Sequence, residues 1–106
     1  MTHFQFQHNT ISGGTDVHFN LEQDPETLQT IVSNIQFHSN YKSGLPEEAY
    51  IEYDSENKKY SLCRYGEVMG KDNFIIKVRY WVTSDLANDI LDKIFKIKEE
   101  QTAKFF

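Results

Sequence analysis

The stretch Phe74-Ile75-Ile76-Lys77-Val78-Arg79-Tyr80-Trp81-Val82 has the strongest pattern in the chain. Every second residue from Phe74 to Val82 is apolar or aromatic, and the cations Lys77 and Arg79 lie between them. Such alternation, rich in β-branched and aromatic residues, is typical of a strand that buries one face. We therefore predict a central strand here, in which truncation of Phe74 or Val78 would be costly.

A helix is predicted directly after this strand. Thr83 or Ser84 supplies the N-cap and Asp85 lies in the first turn, where a negative charge is favourable. Helical spacing then places several large residues on one broad apolar face: Leu86, Ile90, Leu91, Ile94, Phe95 and Ile97.

The N-terminal residues predict a β-hairpin. Residues 3–8 and 15–21 both alternate, and the turn-forming Ser12-Gly13-Gly14 lies between them. Any central two-residue turn that fits both alternations places Phe4 and Phe6 on the same face as Val17 and Phe19.

Residues 24–38 predict another helix. Asp24 is a suitable N-cap, Pro25 fits the first helical position, and the spacing of the next apolar residues is that of one helical stripe. That stripe consists of Leu28, Ile31, Val32 and Ile35.

Two further strands are predicted at residues 49–54 and 60–65, joined by a turn at residues 55–58. The predicted order is ββαβββα, which indicates an α+β fold. We expect one antiparallel, curved sheet with two helices packed on one face, forming a single domain over residues 1–106.

Composition and net charge limit the classes of function that this chain is expected to have. The net charge is −5, which disfavours general binding to nucleic acid and favours basic partners. The chain has one cysteine, Cys63, and no apolar run long enough for a signal peptide or a membrane span. We expect a soluble, cytoplasmic protein that needs no cofactor.

A polar cluster on the outer face of the N-terminal hairpin is a candidate for metal or ligand binding. His3, Asp16 and His18 are residue types that zinc accepts as ligands. A sheet face exposed to water is polar whether or not it binds a metal. A small metal- or ligand-binding enzyme domain that uses this face is therefore the alternative hypothesis and not the leading one.

Other catalytic arrangements are weaker. The acids between Glu47 and Glu56 lie on a strand and turn that expose them, whereas catalytic carboxylates need an environment that perturbs their pKa. Cys63 is more typical of a small buried side chain than of a nucleophile. The segment Gly66–Asp72 lacks the spacing and the hydroxyl residue of a phosphate-binding loop. We therefore predict no enzymatic activity.

A protein-docking surface is the leading hypothesis. Acids are interleaved with tyrosines in the middle of the chain, and the outer side of the 74–82 strand adds an arginine and a tryptophan. Interfaces favour such aromatic residues at their centres. The predicted partner-binding residues are Tyr41, Glu47, Glu48, Tyr50, Glu52, Asp54, Glu56, Arg79 and Trp81.

In size, acidity and low cysteine content the chain resembles the small acidic immunity proteins that neutralise bacterial nuclease toxins, and phage-encoded inhibitors. The resemblance implies a compact cytosolic protein that masks a basic site by charge. It covers composition and size only, so no family residues are carried over. A homodimer joined through Trp81 and Phe105-Phe106 is a third hypothesis.

Overall fold

The structure is a computed structural model that describes residues 1–103. It contains a six-stranded sheet and one long helix, with a short 3₁₀ turn at Lys71–Asn73. The strands are β1 (Thr2–Thr10), β2 (Gly13–Gln23), β3 (Thr30–Ser39), β4 (Glu48–Asp54), β5 (Lys59–Met69) and β6 (Ile75–Val82), and the helix is α1 (Asp85–Ala103).

The sheet is an antiparallel meander in which each strand pairs with its neighbour in sequence, in the order β1-β2-β3-β4-β5-β6. The predicted α+β class and antiparallel sheet are confirmed. The chain order is six strands and then one helix, so the predicted ββαβββα order is wrong. We call the face against which α1 packs the helix-covered face, and the opposite one the open face.

The core lies between α1 and the helix-covered face. The N-terminal hairpin has the predicted arrangement, because Phe4 pairs with Phe19 and Phe6 pairs with Val17. Phe19 is fully buried, and its ring stacks on Phe4 at 5.5 Å and meets Phe6 edge-on at 6.3 Å. The buried core residues are Val17, Phe19, Leu21, Ile35, Phe37, Ala49, Leu62, Ala87, Ile90, Leu91 and Ile94.

Helix α1 begins as the sequence predicts. The Ser84 hydroxyl accepts a hydrogen bond from the Ala87 amide at 3.2 Å, which is the bond expected of an N-cap residue. No helix within residues 1–103 has the length and apolarity that a bilayer crossing requires.

Residues 24–38 do not form the predicted helix, so the expectation of two helices is wrong. A tight turn occupies the first part of this segment, and β3 forms the rest. Two members of the predicted apolar stripe, Leu28 and Ile31, are exposed to solvent.

A β-bulge explains why this strand has helical spacing. In the register of β2 with β3, the pair Asn34 and Ile35 lies opposite Phe19 alone. Asn34 takes a left-handed φ of 53°, as the residue of an inserted bulge often does. Neighbouring residues on one face of a strand are normally two positions apart. The extra residue puts Val32 and Ile35 three positions apart on the same face, which is also a spacing found on one face of a helix.

The predicted helix cap at Asp24 is used in a turn instead. Its carboxylate accepts a hydrogen bond from the Glu26 amide at 2.9 Å, and its carbonyl accepts one from the Leu28 amide at 2.8 Å. Leu28 then adopts a φ of 61°, which ends the helical turn after a single step.

The stretch Phe74–Val82 forms a strand, but it is the edge strand β6 and not a central one. Phe74 is 70% exposed, and Ile75 and Ile76 are also exposed. Alternation defines two faces of a strand but does not determine what covers them. Helix α1 packs on the buried core and leaves the start of β6 uncovered, so most of the predicted core face of β6 meets solvent.

Truncation of Phe19 should therefore cost far more stability than truncation of Phe74. We expect Phe19→Ala to lower the free energy of unfolding by about 3–5 kcal/mol, because it opens a cavity in a packed core. Phe74→Ala should cost less than about 1 kcal/mol, as exposed positions usually do. Urea unfolding of both variants checks this, and an equal loss would contradict the placement of β6 at the edge.

Candidate protein-docking surface

The register of the last three strands places several predicted docking residues on the open face. Tyr50 pairs with Cys63, and Cys63 pairs with Trp81. Directly paired residues share a face, as do residues two apart on one strand. The open face therefore also carries Glu48, Glu52, Tyr65, Lys77 and Arg79.

These side chains contact one another. The Tyr65 hydroxyl donates a hydrogen bond to Glu52 Oε1 at 2.9 Å, and its ring meets that of Tyr50 edge-on at 5.2 Å. Lys77 Nζ lies 4.4 Å from the centre of the Tyr65 ring, and the Arg79 guanidinium lies 4.5 Å from the Trp81 ring. We call Tyr50, Glu52, Tyr65, Lys77, Arg79 and Trp81 the aromatic surface.

The hydrogen bond from Tyr65 to Glu52 has an electrostatic consequence. Donation to the carboxylate, with a further contribution from desolvation, raises the pKa of Tyr65 above its usual range. Tyr65 is therefore a neutral donor at physiological pH and serves to hold Glu52 in place.

Cys63 lies beneath this surface with 0% of its area exposed. Burial raises the pKa of its thiol, and the negative charge of Glu52 raises it further. An enclosed, protonated thiol is a packing residue and not an activated nucleophile.

Cys63 should consequently resist thiol reagents while the protein is folded. We expect labelling slower by a factor of about 10³ or more than in denaturant, because access requires unfolding. A Lys96→Cys variant provides an exposed thiol in the same protein as a matched control. Labelling of Cys63 as fast as that control would contradict the described packing of the open face.

A depression of about 510 Å³ adjoins the aromatic surface beside Tyr50 and Tyr65. Glu47 and Glu48 line one part of it, and Arg64 and Lys77 line another. Both glutamates are exposed. Glu47 and Glu48 thus form an acidic rim on one side of the depression.

Three predicted docking residues lie elsewhere. Tyr41 packs over Gly13, where an added Cβ would lie 2.7 Å from its Cδ1 atom. Asp54 and Glu56 belong to the turn between β4 and β5, in which Glu56 is exposed and Asp54 is 7% exposed. Tyr53 is exposed on the helix-covered side, where its ring meets that of Tyr60 at 5.2 Å.

Asp54 organises its turn. Its carboxylate accepts hydrogen bonds from the Asn57 side-chain amide at 2.7 Å and from the Glu56 amide at 3.0 Å. The Asn57 bond is the main reason why the pKa of Asp54 lies below its ordinary value, although desolvation opposes the shift. Asp54 is therefore a structural residue, and we leave it out of the docking tests.

The depressed pKa of Asp54 predicts a pH-dependent contribution to stability. The contribution is present above the ordinary carboxyl pKa of about 4, and it is lost as the pH falls through the lower folded-state pKa. We expect Asp54→Asn to unfold at lower urea concentration than the parent at about pH 7, with the gap narrowing towards about pH 2. A gap that widens in acid would contradict this role.

The histidines of the alternative site are in contact. His3 Nε2 lies 3.1 Å from His18 Nδ1, and His3 Nδ1 lies 3.1 Å from Asn20 Oδ1. Asp16 is on the same face but pairs with Gln7, one step further along the hairpin. Within residues 1–103 no three histidine, cysteine or acidic side chains are grouped so that they can hold a metal ion.

Sequence reasoning missed Tyr65 and Lys77 as parts of the surface. The available signal was the hairpin between β5 and β6, whose register pairs Tyr65 with Arg79 and Glu67 with Lys77. The strand predicted at residues 60–65 is too short, because β5 continues to Met69. With the hairpin shortened in this way, its cross-strand pairs are not predictable.

Comparisons of the chain with family models, with curated proteins and with solved structures found no match.

Proposed function

We propose that this chain is a non-enzymatic protein-binding module, a small acidic inhibitor of the immunity-protein type that masks a basic site on a toxin or nuclease. The observation that carries the proposal is the aromatic surface with its adjoining acidic rim. Its aromatic side chains come from three strands and lie on a sheet face that α1 leaves free.

The geometry of the rings supports a docking role. Tyr50 is 47% exposed and Tyr65 is partly buried, and their edge-on contact restrains both side chains. A restrained aromatic side chain offers large contact area with little loss of conformational freedom on binding. Residues of this type dominate binding energy at protein interfaces.

The charge distribution supports a basic partner. Glu47 and Glu48 are exposed at the rim, and the whole chain carries a net charge of −5. Complementary fields accelerate association and select the partner.

A non-enzymatic role agrees with how the acids are used. Glu52 accepts a hydrogen bond from Tyr65, and Asp54 accepts bonds within its turn. Glu47 and Glu48 are exposed to solvent at the rim of an open depression, whereas catalytic carboxylates usually lie in an enclosed site.

Binding should depend on Tyr50 and Glu48. We expect Tyr50→Ala to weaken the complex by about 2 kcal/mol or more, roughly 30-fold, because it removes a central ring. Glu48→Lys should slow association and make it less sensitive to salt. The measurement is capture of the partner from the native cells, followed by surface plasmon resonance and an assay of the partner's activity with and without this chain.

Glu100→Lys is the matched control, since it makes the same charge change at an exposed position of α1. Urea unfolding of each variant separates loss of binding from loss of fold. If Glu48→Lys and Glu100→Lys slowed association with the partner equally, the proposed surface would be contradicted. So would tight binding of a single-stranded oligonucleotide to the rings, because stacking platforms with cations also fit nucleobases.

A further inference from the structure

The outer edge of β6 is open. In the described part of the chain β6 pairs with β5 on one side only, and it ends the sheet. An edge strand presents unpaired backbone donors and acceptors that can accept another strand.

The edge is also unusually apolar for an exposed element. Five apolar residues here are between 40% and 73% exposed: Val68 and Met69 at the end of β5, Phe74 just before β6, and Ile75 and Ile76 at its start. Val68 pairs with Ile76 and Met69 pairs with Ile75, so apolar side chains stand on both faces of this hairpin. A strand added beside β6 would place its own side chains next to those of Ile75 on one face and Ile76 on the other.

The charges along this edge have one sign. β6 contains two cations, Lys77 and Arg79, and no acid, although the chain as a whole is acidic. Both cations stand on the open face, while Ile76, Val78 and Tyr80 stand on the other. The strand beside β6 would therefore meet positive charge on one face and apolar or aromatic side chains on the other.

A second copy of this chain fits the edge poorly. Two β6 strands related by a two-fold axis would pair antiparallel, and each residue would pair only with a residue of the same face. For most of both strands to pair, the axis must pass close to the middle of β6, at Lys77, Val78 or Arg79. These registers place Lys77 against Lys77, Lys77 against Arg79, or Arg79 against Arg79. Like charges directly opposite are destabilising.

We propose that the open edge of β6 binds an extended segment of a partner protein that alternates acidic and apolar residues. The acids of that segment would face Lys77 and Arg79 on the open face, and its apolar residues would pack beside Ile76, Val78 and Tyr80. The backbone of β6 supplies the hydrogen bonds, and the alternation supplies the selectivity. This inference does not rest on the proposed inhibitor function.

Two synthetic peptides matched in length to β6 test the proposal, one alternating glutamate with valine and the other lysine with valine. Trp81 is the only tryptophan and lies in β6, so its fluorescence reports binding directly. We expect the glutamate peptide to bind at least about tenfold more tightly, from two favourable cross-strand charge pairs in place of two repulsive ones. Added salt should reduce this preference.

The double variant Lys77→Glu/Arg79→Glu should reverse the preference, so that the lysine peptide binds more tightly. The control Lys42→Glu/Lys96→Glu makes the same charge change at exposed positions outside the sheet and should preserve the original preference. Glu48→Lys and Tyr50→Ala keep Lys77 and Arg79, so the preference for the glutamate peptide should persist in both variants, which separates this proposal from the inhibitor function.

Three results would overturn the proposal. The first is absence of binding by either peptide in the millimolar range, and the second is equal affinity for both. The third is a concentration-dependent dimer in sedimentation that the double variant disrupts, because this would assign the edge to a second copy of the chain.

Discussion

One helix has to cover a sheet that is larger than itself. Helix α1 has 19 residues, so it is about 28 Å long, whereas β2 and β5 have 11 residues each and extend to about 36 Å. The inward residues of the helix, Ala87, Ile90, Leu91 and Ile94, complete the core over one part of the sheet. The rest of the sheet has no second layer. The exposed hairpin of β5 and β6 and the free open face both follow from this limited cover.

The open face is held together by contacts between its own side chains. Tyr65 is the central member, because it contacts Tyr50, Glu52 and Lys77. Rings, a carboxylate and a cation on neighbouring strands shield small residues such as Cys63 without a covering helix. The same arrangement gives a rigid surface of mixed charge, which is why stability and binding have to be measured separately for each variant of this face.

Much of the fold follows from local patterns in the sequence. Apolar residues recur at strand spacing in the N-terminal hairpin and in the strands from residue 49 onwards, and at helical spacing in α1. The failure at residues 24–38 has a specific cause, because a bulge at Asn34 converts strand spacing into helical spacing. The burial of β6 was mispredicted for another reason, which is that a strand's alternation carries no information about the element that covers it. Of the docking residues, Tyr50, Glu52, Arg79 and Trp81 share one face, and their contacts depend on the register of β5. Phe105 and Phe106, which the dimer hypothesis invokes, lie outside the described residues.

The meander also determines the order in which the chain can fold. Every strand pairs with its neighbour in sequence, so each pairing closes only a short loop, whereas α1 packs on strands that precede it by many residues. During synthesis the whole sheet leaves the ribosome before the segment that covers its apolar face. The nascent chain therefore has an interval in which Val17, Phe19 and Ile35 face solvent, and chaperone capture of the sheet would fall within that interval.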